Sequence, residues 1–147
     1  MVSPDQETLY SKQLMSYAQS VATPHRLDHP DATGHASSMI CGSEITIDLT
    51  LDQQGKIATF GYEIAACSLT KTALAIVKEA VIGQSRDEIA AAGALLSQIL
   101  ENEAEPPVGH WSHFEFLLPC REYPARHQSI LLVFEAIEDA YSQIKNP

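Results

Sequence analysis

The segment ITIDLTLDQQGKIATFGYEIAACSLTKTALAIVKEAVIG, residues 45–83, changes its hydrophobic period halfway along. Ile45, Ile47, Leu49 and Leu51 alternate with Thr46, Asp48 and Thr50, the pattern of a half-buried strand. DQQGK, residues 52–56, carries Gly55 and reads as a hairpin connection. The return run, IATFGYEI, places Phe60, Tyr62 and Ile64 on one face of a second strand. From Ser68 the period becomes helical, with Leu69, Ala73, Leu74, Val77 and Val81 on one side and Gly83 as the stop. A strand pair cannot stand alone in water, so helices downstream must cover it.

Working outward, Ser85-Arg-Asp-Glu88 is a capping box that opens a second helix through about Leu100. ENEAEPPVG, 101–109, is a polar break, and HWSHFEFLL after it is short and aromatic-rich. PCREYPAR reads as extended, and SILLVFEAIEDAYSQI as a closing amphipathic helix with Ser129 as its candidate cap. Upstream, residues 5–20 suit an amphipathic helix through Leu9, Leu14, Met15 and Tyr17. Residues 21–38, rich in Pro, His, Asp, Gly and Ser, read as a loop. Strands followed by helices around one core imply a single α+β domain over 1–147.

At 147 residues the chain can bury an ordinary core, and its 45 % apolar content is that of a globular protein. A net charge of −10 with scattered Lys and Arg excludes a clustered basic face, so no nucleic-acid partner is expected. No run is long and apolar enough for a membrane span, and MVSPDQETLYSKQ lacks the basic start and apolar stretch of a secretory signal. A cytoplasmic location is the expectation.

Three cysteines, at 41, 67 and 120, are too few and too dispersed for a disulfide framework. They suggest free thiols, metal ligation or catalysis. Cys67 lies where a strand hands over to a helix. Free amides and the helix macrodipole there favour a thiolate, a better ligand or nucleophile; tight packing of a small residue is the alternative. Cys41 precedes the first paired strand and Cys67 follows the second, so antiparallel pairing brings the two toward one end of the sheet.

With those residues in place, ICGSEITIDLTLDQQGKIATFGYEIAACSLTKTALAIVKEAVIGQSRDEI resembles the U-type iron–sulfur cluster scaffold family, which includes IscU, the NifU N-terminal domain and SufU. The likeness extends to LYSKQLMSYAQS at the start and to REYPARHQSILLVFEAIEDA at the end, which is most similar to SufU. The resemblance implies an α+β fold of the SufE/NifU kind: a short antiparallel sheet of about three strands with helices packed on one face. It also implies a site at one end of the sheet that holds a transient iron–sulfur cluster or zinc. Its implied partners are a cysteine desulfurase that supplies persulfide sulfur and recipient apo-proteins.

Carried over by position, Cys41 and Cys67 match the first two cysteines of that site. Ser43 stands where the family has Asp, and Ser129 where it has a third Cys. A neutral hydroxyl is a poor iron or zinc ligand beside thiolate and imidazole. His127 is the best replacement, and Cys120, nine positions before Ser129, could fold back to give a Cys41, Cys67, Cys120 and His127 set. Three readings follow. The first is an assembly scaffold, a carrier rather than a turnover enzyme, working through Cys41 and Cys67. The second is a SufU-like zinc-dependent sulfur acceptor, a sulfurtransferase. The third is an interaction protein that keeps the fold without ligation.

Overall fold

The computed structural model describes residues 4–39 and 42–144, with side chains from Lys12 onward. Helix α1 (Pro4–Ser20) leads into a connection and then into three strands: β1 (Ala32–Ser38), β2 (Ser43–Leu51) and β3 (Ile57–Ala65). They form one antiparallel sheet in the order β1-β2-β3. Helices α2 (Ser68–Ala80), α3 (Arg86–Leu100) and α4 (His127–Ser142) follow, with 3-10 turns over Ser112–Glu122 and Pro124–Arg126 between the last two. The expected α+β fold, three antiparallel strands with helices, is the one observed.

The β2–β3 hairpin closes as its residues dictate. Gly55 takes a positive φ of 81°, and the Asp52 carboxylate accepts from the amides of Gln54 and Lys56. Register pairs Ile45 with Ile64, Ile47 with Tyr62 and Leu49 with Phe60, so these side chains share one face. Ile45, Ile47, Leu49, Phe60 and Tyr62 are buried. Helix α4 lies across β1 and β2 on that face, and α2 packs between α4 and α1. The capping box at α3 is present in both directions, with Ser85 accepting from the Glu88 amide and Glu88 from the Ser85 amide.

Residues 32–38, read as part of a loop, form β1 instead. ATGHASS has little strand propensity, and its conformation comes from tertiary contact. A Cβ at Gly34 would lie 2.1 Å from the Ala136 carbonyl oxygen and 2.3 Å from the Ala140 nitrogen, so α4 rests directly on this backbone. Ala32 and Ala36 belong to the same face. Small residues that look like loop composition are what lets the helix approach.

The other sheet face is crossed by a strap, residues 21–31. His25 pairs with Tyr62 at the free edge of β3 through bonds of 2.9 and 2.8 Å. The strap then passes over Gly61, where a Cβ would meet the His25 carbonyl at 2.7 Å. Asp48, expected on a solvated face, is fully buried beneath it. Its carboxylate accepts from Arg26 Nε at 2.7 Å, the Leu27 amide at 3.0 Å and the Thr33 hydroxyl at 2.6 Å. Burial pushes the Asp48 carboxyl up, but the bonds from Arg26, Thr33 and the Leu27 amide outweigh it and hold it below the usual range.

PCREYPAR is likewise not extended but wound into the two 3-10 turns. Ser129 does not cap the last helix: α4 begins at His127, and Ser129 is buried within its first turn. No helix among the described residues is long and apolar enough to cross a membrane.

Candidate functional site

The end of the sheet where β2 begins and β3 finishes is built from small and hydroxylic residues. Ser38 pairs with Ser43 across β1 and β2, and Glu44 pairs with Ala65 across β2 and β3. Antiparallel continuation therefore brings Ala66 and Cys67 alongside Ser43. Ser38 and Ser43 share the buried face of Ile45 and are 2 % and 0 % exposed. The Ser38 hydroxyl has no hydrogen-bond partner among the described residues. Cys41, the first thiol of the expected pair, lies outside the described residues; Ser38 and Ser43 are the nearest strand residues on either side of it in sequence.

Cys67 occupies the N-cap position of α2, with extended backbone angles of φ −69° and ψ 166°. No side-chain cap bond ties its sulfur to the helix amides. The thiol is free and half-buried, so it sits at the mouth of a 13-residue helix with an open side. Its described partner is a hydroxyl, Thr70 Oγ1, at 3.4 Å. Thr70 itself is fully buried. The local sequence accounts for this placement: β3 ends after the alternating run, and Ser68 onward turns the backbone into a helix.

The other expected ligands are dispersed. Cys120 lies at the end of the long 3-10 run, 2 % exposed and within the main apolar core. Burial pushes its thiol up to about 11, so it holds its proton at neutral pH. His127 starts α4, and its Nε2 lies 3.0 Å from the Cys120 carbonyl oxygen. Ser129 is fully buried on α4, the helix that covers β1 and β2. Among the described residues no three His, Cys, Asp or Glu side chains gather closely enough to hold a metal ion. A resident four-coordinate zinc needs ligands beyond Cys67 that the described residues do not group around it.

His110 and His113, three residues apart, serve different contacts. His110 Nε2 meets the Ala80 carbonyl, whereas His113 Nδ1 lies 3.1 Å from the Tyr17 hydroxyl and 3.5 Å from Glu79. Trp111 between them stacks on Phe114 at 5.3 Å. The segment is a packing element that ties the 3-10 run to α1 and α2. Thr70 is the site residue that sequence reading missed. Its only signal was a hydroxyl three positions after a helix-opening cysteine, a spacing that puts two side chains on the same side of a helix.

The chain is a three-stranded antiparallel meander backed by helices, with a half-buried thiol opening the first helix after the sheet. No family model matches the chain. It is, however, 31 % identical to a nitrogen-fixing NifU-like protein (N-terminal) from Brucella abortus, whose crystal structure superposes with a TM-score of 0.84 over 94 % of this chain and 95 % of that one. A curated relative, the iron-sulfur cluster assembly scaffold protein IscU of Thermotoga maritima, is 22 % identical over 139 residues, 95 % of this chain and 96 % of that protein. The fold is also that of a putative iron-sulfur cluster assembly scaffold protein for the SUF system from Fervidobacterium islandicum, with a TM-score of 0.73 at 20 % identity over 91 % of this chain and 97 % of that one. The chain belongs to the NifU-like family of U-type iron–sulfur cluster scaffolds.

Proposed function

We propose that this protein serves iron–sulfur cluster assembly as a carrier, with Cys67 as its principal sulfur-handling thiol and Cys41 as the second. The observation that carries the reading is the half-buried Cys67 sulfur at the N-cap of α2, beside the sheet end. Two thiolates suit iron as soft ligands, and the nascent cluster is cargo rather than a resident cofactor. In this reading Ser43 and Ser129 line the site with hydroxyls, while Cys120 and His127 hold the 3-10 run against α4.

Sulfur arrives from a cysteine desulfurase as a persulfide. The Cys67 thiolate attacks the outer sulfur, so a new S–S bond forms at Cys67 as the donor's S–S bond breaks. The electron pair leaves with the donor's thiolate, and no external oxidant or reductant is consumed. Delivery to recipient apo-proteins completes the cycle. Membership in a scaffold family supports the partner classes, and among the described residues no three donor side chains gather around Cys67.

The test is incubation with a cysteine desulfurase and cysteine, followed by mass spectrometry, in parallel with anaerobic reconstitution using iron and sulfide. The expected results are one added sulfur atom on Cys67 and a visible charge-transfer chromophore, both lost in Cys67→Ser. Stoichiometric zinc in protein purified without chelators would instead favour a zinc-dependent acceptor. Metal-free protein inert in both assays would leave only an interaction role.

A further inference from the structure

Two buried threonines in the first turns of α2 behave differently. The Thr72 hydroxyl donates to the Ser68 carbonyl at 2.8 Å and also lies 3.0 Å from the Leu14 carbonyl, the usual return of a helical hydroxyl to backbone. Thr70 is equally buried, yet its hydroxyl partner is the Cys67 sulfur at 3.4 Å. A hydroxyl can donate or accept toward a neutral thiol. Toward a thiolate it can only donate, so loss of the thiol proton fixes the direction of this bond.

We propose that Thr70 is the positioning residue of the Cys67 sulfur: its hydroxyl donates to the thiolate and holds it at the mouth of α2, oriented for attack. The assignment rests on the proposed role of Cys67 for its purpose, but its geometry stands apart from that role. Thr70 follows Cys67 by three residues, so the helix places the hydroxyl one turn on, beneath the N-cap side chain. Because Thr70 is fully buried, its hydroxyl has no competing access to bulk water. In sulfur transfer the same bond would hold the attacking sulfur while its electron pair engages the donor's outer sulfur.

The experiment is alkylation of the purified full chain by iodoacetamide at pH 7.5. The Cys67 sulfur displaces iodide, and its proton passes to buffer. Lys56 and Lys71 bracket a tryptic peptide that carries Cys67 but neither Cys41 nor Cys120, so mass spectrometry follows this thiol alone. Thr70→Val keeps the shape and removes the hydroxyl; Thr70→Ser keeps the hydroxyl. Water at the half-exposed sulfur replaces part of the lost bond, so Thr70→Val is expected to slow alkylation about fivefold. Thr70→Ser should react at the wild-type rate, with unchanged far-UV circular dichroism in both variants. Equal rates for Thr70→Val and wild type would overturn the assignment, as would a Thr70→Ser variant as slow as Thr70→Val. A wild-type Cys67 that gains no sulfur from a desulfurase would instead defeat the functional reading, leaving the alkylation result to judge Thr70 by itself.

Discussion

At the scale of single residues, the two described cysteines differ by environment rather than by type. Cys67 is half-exposed with a hydroxyl beside it, whereas Cys120 is sealed in the core with its thiol pushed up to about 11. Native protein treated with a thiol reagent at pH 8 should therefore label Cys67 well before Cys120, and denaturant should release the second reaction; mapping the labelled peptides checks the order. Asp48 makes the complementary case of a buried charge that is satisfied. Asp48→Ala strands the Leu27 amide and the Thr33 hydroxyl, while Arg26, 43 % exposed, regains water. The expected loss is about 2 kcal/mol, read as a shift in urea midpoint. Because the folded carboxyl lies below its unfolded value, its contribution is present above the ordinary carboxylate range and fades as pH falls through the folded value. Wild-type midpoints should drop below about pH 4, and Asp48→Ala should flatten that part of the profile.

At the scale of elements, the α4–β1 contact and the α3 cap are the places where one side chain governs a whole segment. Gly34→Ala puts a methyl group into the α4 backbone, which cannot retreat without uncovering the sheet. A loss of about 3 kcal/mol or failure to fold is expected, measured by chemical unfolding. Ser85→Ala removes one half of the capping box and should cost about 1 kcal/mol with the fold intact. The two elements also mark what was legible. The α3 start could be read because a cap is local: donor and acceptor lie three residues apart. Strand β1 could not, because Gly34 adopts its conformation for the sake of Ala136 and Ala140, a hundred residues away.

At the scale of the molecule, one apolar cluster runs from Tyr17 through β2, β3 and the helices to Tyr141. Unfolding should therefore be a single cooperative step. Far-UV circular dichroism and the fluorescence of Trp111, the chain's one tryptophan, should give coincident midpoints, and separated transitions would contradict a single domain. The amino-acid sequence by itself determined the β2–β3 hairpin, the helices α2 and α3, the handover at Cys67 and the family likeness. The structural elements rest on periodicity or on contacts within a few residues, and the likeness rests on matched stretches of sequence. Only the tertiary structure decided the strand of small residues under α4 and the strap that buries Asp48. It alone also wound residues 112–126 into 3-10 turns and turned a threonine toward the Cys67 sulfur. Those features depend on what packs against a residue, and burial is a property of neighbours that are distant along the chain.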